Sequence, residues 1–443
     1  MTLQRGTTYR SALLGQPGPV LLGLASIQRN GGFRDDSLKT YGGASPEKLT
    51  LRPGDIFVSL KDVTQSADLL GAVARVPANI VAGRVTQDTV KLIFLRDDIP
   101  SRYLYWLLRT PVYREYCRAH AIGTTNLSIA RNDFLAFPVP KPKACDLILA
   151  EILDALDDKI ELNRRMNATL EAMARALFQS WFVDFDPVRS KLDGRSPAGL
   201  NSATADLFPA TLQDSPLGLI PDGWSARCLP DVVEVNPRRS LKGGSVAPYL
   251  DMKNLPTQGH SAQKVVDRVF SSGTKFTNGD TLLARITPCL ENGKTGYVDF
   301  LEKDQVGWGS TEYIVLAPKP PLPPQFGYLL ARSEGLRSHA IQNMTGTSGR
   351  QRVPSECFSS FLLAVPTPAV ARRFDELTSP LMEKIKANGE ESRTLASLRD
   401  ALLPKLVSGE LRTVPNSAGG DCPMAVGEGV SRHAAPRLPK ATP

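Results

Sequence analysis

The chain is poor in the residues from which metal and redox sites are built. Its four histidines (His120, His260, His339, His433) stand alone, and its six cysteines (Cys117, Cys145, Cys228, Cys289, Cys357, Cys422) are spread with no CxxC pair. That spacing argues against a structural zinc site and predicts a reduced chain without disulfides. No apolar run reaches 18 residues and no basic-then-apolar start is present, so a membrane span and a signal peptide are not expected and the reading is cytoplasmic. A Gly-rich phosphate loop ending in Lys-Ser or Lys-Thr is missing, which leaves nucleotide hydrolysis unsupported. Asp184-Phe185-Asp186-Pro187 lacks the second Pro and the aromatic of an amino-methyltransferase loop and reads as a helix exit. Asp251-Met252-Lys253 has the acid-x-Lys spacing of metal-dependent nucleases but no further carboxylate at a telling distance. No Ser/His or Cys/His pair stands out. These absences describe a chain that binds or assembles and does not catalyse.

What the sequence does have is a long heptad seam. Within 147–185, Leu149, Leu153, Leu156, Ile160, Asn163, Asn167, Leu170, Ala174, Leu177 and Trp181 alternate spacings of four and three, with no Pro or Gly between them. This is the pattern of a helix that supercoils with another, roughly 50 Å long at 1.5 Å per residue. A shift of 225 positions supplies the partner: Phe374, Thr378, Leu381, Ile385, Asn388, Ser392, Leu395, Arg399, Leu402 and Leu406. The same shift lays Gly54-Asp55 over Gly279-Asp280 and, within a few residues, Gly123-Thr124-Thr125 over Gly346-Thr347-Ser348. An ordered series over both halves reads as a tandem duplication of domain and long helix.

The expected fold class is α+β (mixed): two similar globular domains joined by two long antiparallel coiled-coil helices with pseudo-twofold symmetry. The first domain covers 1–146, with strands at 20–27, 55–60 and 90–95, a helix or helix pair at 101–121 broken near Pro111, and a short strand at 137–139. The central helix (147–185) leads to an irregular, partly mobile linker (186–220). The second domain (221–369) repeats the elements, with strands at 247–252, 280–286, 311–318 and 361–366 and a helix at 326–341. The second long helix (370–412) and a disordered tail (413–443) follow. One mismatch stands: Ile220-Pro221-Asp222-Gly223-Trp224 opens the second domain, whereas the first reaches its equivalent strand near Leu21 with no such counterpart. The first domain therefore either opens differently or is preceded by further residues.

The segments LDDKIELNRRMNATLEAMARALFQSWFVDFDPV (156–188), IPDGW (220–224) and LLPKLVSGELR (402–412), set in this alternation of domain and helix, resemble the specificity subunit of type I restriction-modification enzymes. The resemblance implies two target-recognition domains, each reading one half of a bipartite, asymmetric site in double-stranded DNA. It implies that the helices set the gap and dock two adenine-N6 methyltransferase subunits, which an endonuclease/translocase subunit joins. S-adenosylmethionine, ATP and Mg would then sit on those partners and no cofactor on this chain. A coiled-coil adaptor that assembles partners without reading DNA is the alternative.

The formal charge of +8 suits a polyanionic partner but does not demand one. Candidate DNA contacts are Arg29, Arg34, Lys39, Lys61, Arg75, Arg84, Thr124 and Asn126 in the first domain. In the second they are Arg238, Arg239, Lys242, Lys253, Arg285, Lys294, Thr347, Ser348, Arg350 and Arg352. The loop 346–352 joins backbone amides, hydroxyls and guanidinium groups; its counterpart at 123–126 lacks the arginines, so the two domains should read different sequences. Helix-pairing candidates are Leu156, Ile160, Asn163, Asn167, Leu170, Leu177, Leu381, Ile385, Asn388, Ser392, Leu395 and Leu402. With the helices antiparallel about a dyad near residue 165, Asn163 meets Ser392 and Asn167 meets Asn388 in a polar layer that fixes register. The aromatic run 181–185 reads either as plain core or as part of a docking surface.

Overall fold

Strands that are buried at every position form the centre of each half of the chain. In the computed structural model, which describes residues 1–408 apart from 36, 65, 96, 97, 125 and 348, Ile56–Ser59 and Thr281–Ala284 are buried throughout. Contacts divide the chain into a first unit, residues 1–157 with the chain from Ser397 onward, and a second unit, 158–396. Each long helix is therefore parted between the units, where the sequence had suggested separate helical segments.

The first unit has an antiparallel sheet in the order Thr2–Arg5, Thr89–Ile93, Ile56–Ser59, Val73–Arg75. Its second sheet pairs Val20–Leu22 parallel to Gly83–Val85, with Thr50–Leu51 antiparallel on the other side. Helices Ser101–Leu107 and Pro111–Ala119 follow; the break comes where Thr110 caps the second helix by accepting from the Tyr113 amide, with Pro111 in its first turn. Of the expected strand at 20–27 only Val20–Leu22 is extended, because Leu24–Ser26 closes a 3-10 turn. The expected strand at 137–139 finds no ladder partner and is coil. The core of this unit includes Trp106, Tyr113 and Phe134, together with Leu149, Ala150 and Leu153 of the central helix and Leu406.

The second unit repeats both sheets strand for strand. Val233–Val235, Tyr313–Pro318, Thr281–Ala284 and Thr295–Tyr297 form the antiparallel sheet. Val246–Leu250 lies parallel to Gly307–Gly309, with Thr274–Phe276 antiparallel beyond it, and Val265–Val269 is an extra edge strand. Helices Pro324–Arg332 and Glu334–Gln342 match the earlier pair, Ser333 now serving as the cap. Leu362–Val365 pairs antiparallel with Ser225–Cys228, at the end of the opening segment that had no equivalent in the first half.

The repeated Gly-Asp pair has a physical job in both units. Gly54 (φ 88°) and Gly279 (φ 90°) turn the chain in the left-handed region. The following carboxylate accepts from the amide three residues back, Asp55 from Arg52 and Asp280 from Thr277, both at 2.8 Å. Each carboxylate also holds one cation from elsewhere: Lys91 on Asp55 (2.7 Å) and Arg239 on Asp280 (2.9 Å).

The central helix runs Ala144–Phe182 and the C-terminal one Pro368–Leu402, the latter continuous through the exposed Pro380 and followed by a short helix Lys405–Ser408. Residues 186–220, expected to be irregular, are ordered. They form helices Asp186–Leu192 and Ser202–Ala205 and the hairpin Leu212–Ser215/Gly218–Pro221. The reason is apolar anchorage: Val188, Phe208 and Ile220 are all but inaccessible to solvent, and Phe208 packs edge-on against Trp181 with ring centres 4.9 Å apart. The aromatic run is likewise core. Phe182 packs on Phe374 (4.7 Å), Phe326 (5.3 Å) and Trp224 (5.9 Å), and Phe185 on Trp224 (5.7 Å). This explains why IPDGW accompanies the FQSWFVDF helix end: Trp224 closes the cluster that the helix begins. Only Val183 and Asp184 of the run are exposed, which leaves little of it for docking. The tail 413–443 lies outside the described residues.

Candidate nucleic-acid interface

The helices pair antiparallel, as their side-chain contacts within the second unit show. Asn163, wholly buried, donates through Nδ2 to Glu391 Oε2 (2.8 Å), Ser392 Oγ (3.3 Å) and the Asn388 carbonyl (3.4 Å). One turn on, Asn388 donates to Asn167 Oδ1 (2.8 Å) and Asn167 to the Ile385 carbonyl (3.2 Å). Numbers rise on one helix as they fall on the other. Asn163 therefore meets Ser392 and Asn167 meets Asn388, as the dyad required. Leu170, Leu177, Leu381 and Ile385 join the hydrophobic core beside this layer, and Ile160, Leu156 and Leu395 are half-buried. The Asn163 amide and Lys159 hold the Glu391 carboxyl below the ordinary glutamate range.

Within the first unit, Leu402 packs on the core. Asp157 binds Arg109 and Arg399, each at 2.7 Å, and burial of Arg399 is outweighed by Asp157 and Asp400, which push its pKa up. Asp154 takes Trp106 Nε1 (2.7 Å) and both terminal nitrogens of Arg75 (2.8 and 3.0 Å). Arg75, named as a DNA candidate, is engaged with the helix and stacked on Tyr105.

Three other candidates of the first unit, Arg29, Lys61 and Arg84, have partners within the protein. Arg29 lies 3.8 Å from Asp68, and Lys61 binds Asp88 at 3.1 Å. Arg84 is buried, donating to Thr7 Oγ1 and the Thr8 carbonyl and lying over the Tyr41 ring. Arg34, Lys39, Thr124 and Asn126 are exposed, the last two on a loop whose base is clamped by paired Ile122 and Ser128 backbone bonds. Gly123 (φ 105°) is required there, since a Cβ would sit 2.4 Å from the Asn126 carbonyl oxygen.

The second unit brings three of its basic candidates, Arg238, Arg239 and Arg285, together. A cleft of about 490 Å³ is lined by Arg238, Arg239, Lys275 and Arg285, with Tyr313 and Thr311, and no carboxylate lines it. Local chemistry builds it. Asn236 adopts φ 54°, a conformation asparagine tolerates, and locks it by accepting the Val315 amide (3.0 Å) and donating its own to the Val315 carbonyl (2.7 Å). The chain is thereby turned so that Arg238 and Arg239 line the cleft. Arg285 stands just past strand Thr281–Ala284, fixed by backbone bonds to Glu312 and Val353. Beside it the loop 346–352 is closed by paired bonds between Thr345 and Arg352, and Arg352 grips Glu312 at 2.7 Å, which pushes its pKa up. Thr347 and Arg350 on that loop are exposed; Ser348 lies outside the described residues. Lys242 and Lys253 are exposed away from the lining, and Lys294 donates to the Met252 carbonyl. Lys275 escaped sequence reading because Thr274–Phe276 is too short for a periodic signal. Asp251 caps its own turn by accepting the Lys253 amide, and no cluster of metal-binding side chains exists among the described residues.

No family model matches the chain. It is 25% identical over 340 residues to the type I restriction enzyme MjaIX specificity subunit of Methanocaldococcus jannaschii, covering 74% of this chain and 73% of that one. It is also 25% identical over 321 residues to the HindI specificity subunit of Haemophilus influenzae, covering 62% and 69%. A solved S subunit of a type I restriction-modification system from M. genitalium aligns over 91% of this chain and 92% of its own, at TM-score 0.48 and 15% identity. The resemblance carried by the central helix and its exit thus extends along most of the chain, a relative of the type I restriction enzyme specificity subunits.

Proposed function

We infer that this chain is the DNA sequence-recognition subunit of a type I restriction-modification complex. Each unit reads one half of a bipartite, asymmetric site, and the helices set the gap and dock two methyltransferase subunits, which an endonuclease/translocase subunit joins. The observation that carries the reading is the strand-for-strand repetition of both sheets in two halves whose loops differ, together with the likeness to specificity subunits over most of the chain. A duplicated frame with unlike loops suits two related readers of unlike sequences. The chain holds no catalytic centre in this reading, and S-adenosylmethionine, ATP and Mg belong to the partners.

The test is co-expression with a type I methyltransferase subunit and mapping of methylated adenines in the host genome. A bipartite methylated site that disappears on deletion of this chain's gene is expected. Methylation that persists unchanged would overturn the proposal and leave the adaptor reading.

A further inference from the structure

Two half-buried guanidinium groups line the cleft. The Nε atoms of Arg239 and Arg285 are both buried without a hydrogen-bond partner. Guanidinium donors left without a protein partner beside a cleft free of carboxylates suit an anionic ligand. Arg239 is held in place by buried Asp280 through Nη2, while Arg285 has no side-chain hydrogen bond or ion pair among the described residues. Arg238 is exposed at the mouth, and Lys275 lies over the Phe270 ring at 5.1 Å. The four cations come from three separate segments and converge on a space with no acidic lining. A guanine edge would call for one free planar fork. Arg239 cannot offer its fork intact, because Asp280 occupies one arm, so a guanine would use the Arg285 fork alone and leave the other three converging cations unmet. A tetrahedral anion accepts from several directions at once and fits convergent donors better.

We propose that this cleft is a backbone clamp: it takes a phosphate of the DNA strand, through Arg239 and Arg285 within and Arg238 and Lys275 at the rim, and positions the second half-site without reading its bases. The proposal rests on the DNA-recognition reading above.

The test is the salt dependence of binding by the full chain to two duplexes, one carrying the methylated site and one scrambled. Over roughly 50–200 mM salt, Arg285→Gln should weaken both duplexes alike and lower the slope of log K against log salt by about one. Arg285→Lys should keep the slope. Lys275→Gln, on a different strand from Arg285, should act in the same direction and guards against a folding defect in the first variant. Loss of preference at one base pair with an unchanged slope would assign base reading and overturn the clamp, as would unchanged affinity in both Gln variants. If the parent chain binds both duplexes equally yet the slope falls, the clamp stands and the sequence-recognition reading fails.

Discussion

Replacing the two asparagines of the central helix one at a time should have opposite effects. Asn163 is fully buried, but its Oδ1 has no partner, an orphan costing about 1–3 kcal/mol. Its acceptors keep other partners: Ser392 bonds its own helix at Asn388 (2.7 Å), and exposed Glu391 retains Lys159 at 3.3 Å and water in exchange for the lost amide. Asn163→Leu removes the orphan and adds apolar burial of about 1.5–3 kcal/mol at most, against the hydrogen bonds lost, so a net gain on the order of 1 kcal/mol is expected. Asn167 is different. Its Oδ1 is the acceptor for the amide of Asn388, which is 1% exposed. Asn167→Leu strands that amide and should destabilise by about 1–3 kcal/mol, while Asn167→Leu with Asn388→Leu should recover most of the loss. For a unit of this size each kcal/mol shifts Tm by roughly 2–4 °C, readable in a calorimetric scan. Sedimentation of the variant combining Asn163→Leu, Asn167→Leu and Asn388→Leu should reveal misregistered or swapped species, because the amide pairs of the layer no longer exclude them. Equal loss of stability in both single variants would refute the argument.

Other perturbations follow from the same geometry. Glu391 has its folded pKa depressed, chiefly by the Asn163 amide, so its contribution is present above the ordinary glutamate pKa and lost as pH falls through the folded value. Glu391→Gln should melt lower than the parent at neutral pH, with the difference closing in acid; a constant difference would contradict the assignment. Arg75→Ala should lower Tm by withdrawing a bidentate partner from nearly buried Asp154, with the DNA salt slope unaltered; a changed slope at constant Tm would return it to the interface. Arg350→Ala on the exposed loop should weaken DNA binding, and unchanged affinity and slope would remove it from the candidate surface.

The seam was legible because the heptad repeat and its displaced copy depend only on spacing, and Asn163, Asn167, Asn388 and Ser392 meet where those spacings put them. The duplication was visible through Gly54-Asp55 and Gly279-Asp280, residues whose left-handed turn and capping carboxylate tolerate few replacements. The cations were not legible individually. Arg75, Arg84 and Arg239 look alike in a sequence, yet their surroundings differ through partners at Asp154, Thr7 and Asp280, all brought in by tertiary structure. Polar composition suggested a loose connector at 186–220, because a few scattered buried side chains, Val188, Ala205, Phe208 and Ile220 among them, make no periodic signal.

That connector has a consequence for anyone re-engineering the protein. Phe208 seated on Trp181, and Arg373 tied to Thr204 at 2.8 Å, make it a fitted plug and not slack cord. A designer seeking longer spacing should leave it intact and lengthen both rods in step, since stretching the plug would open the hydrophobic interior before it moved any reading surface.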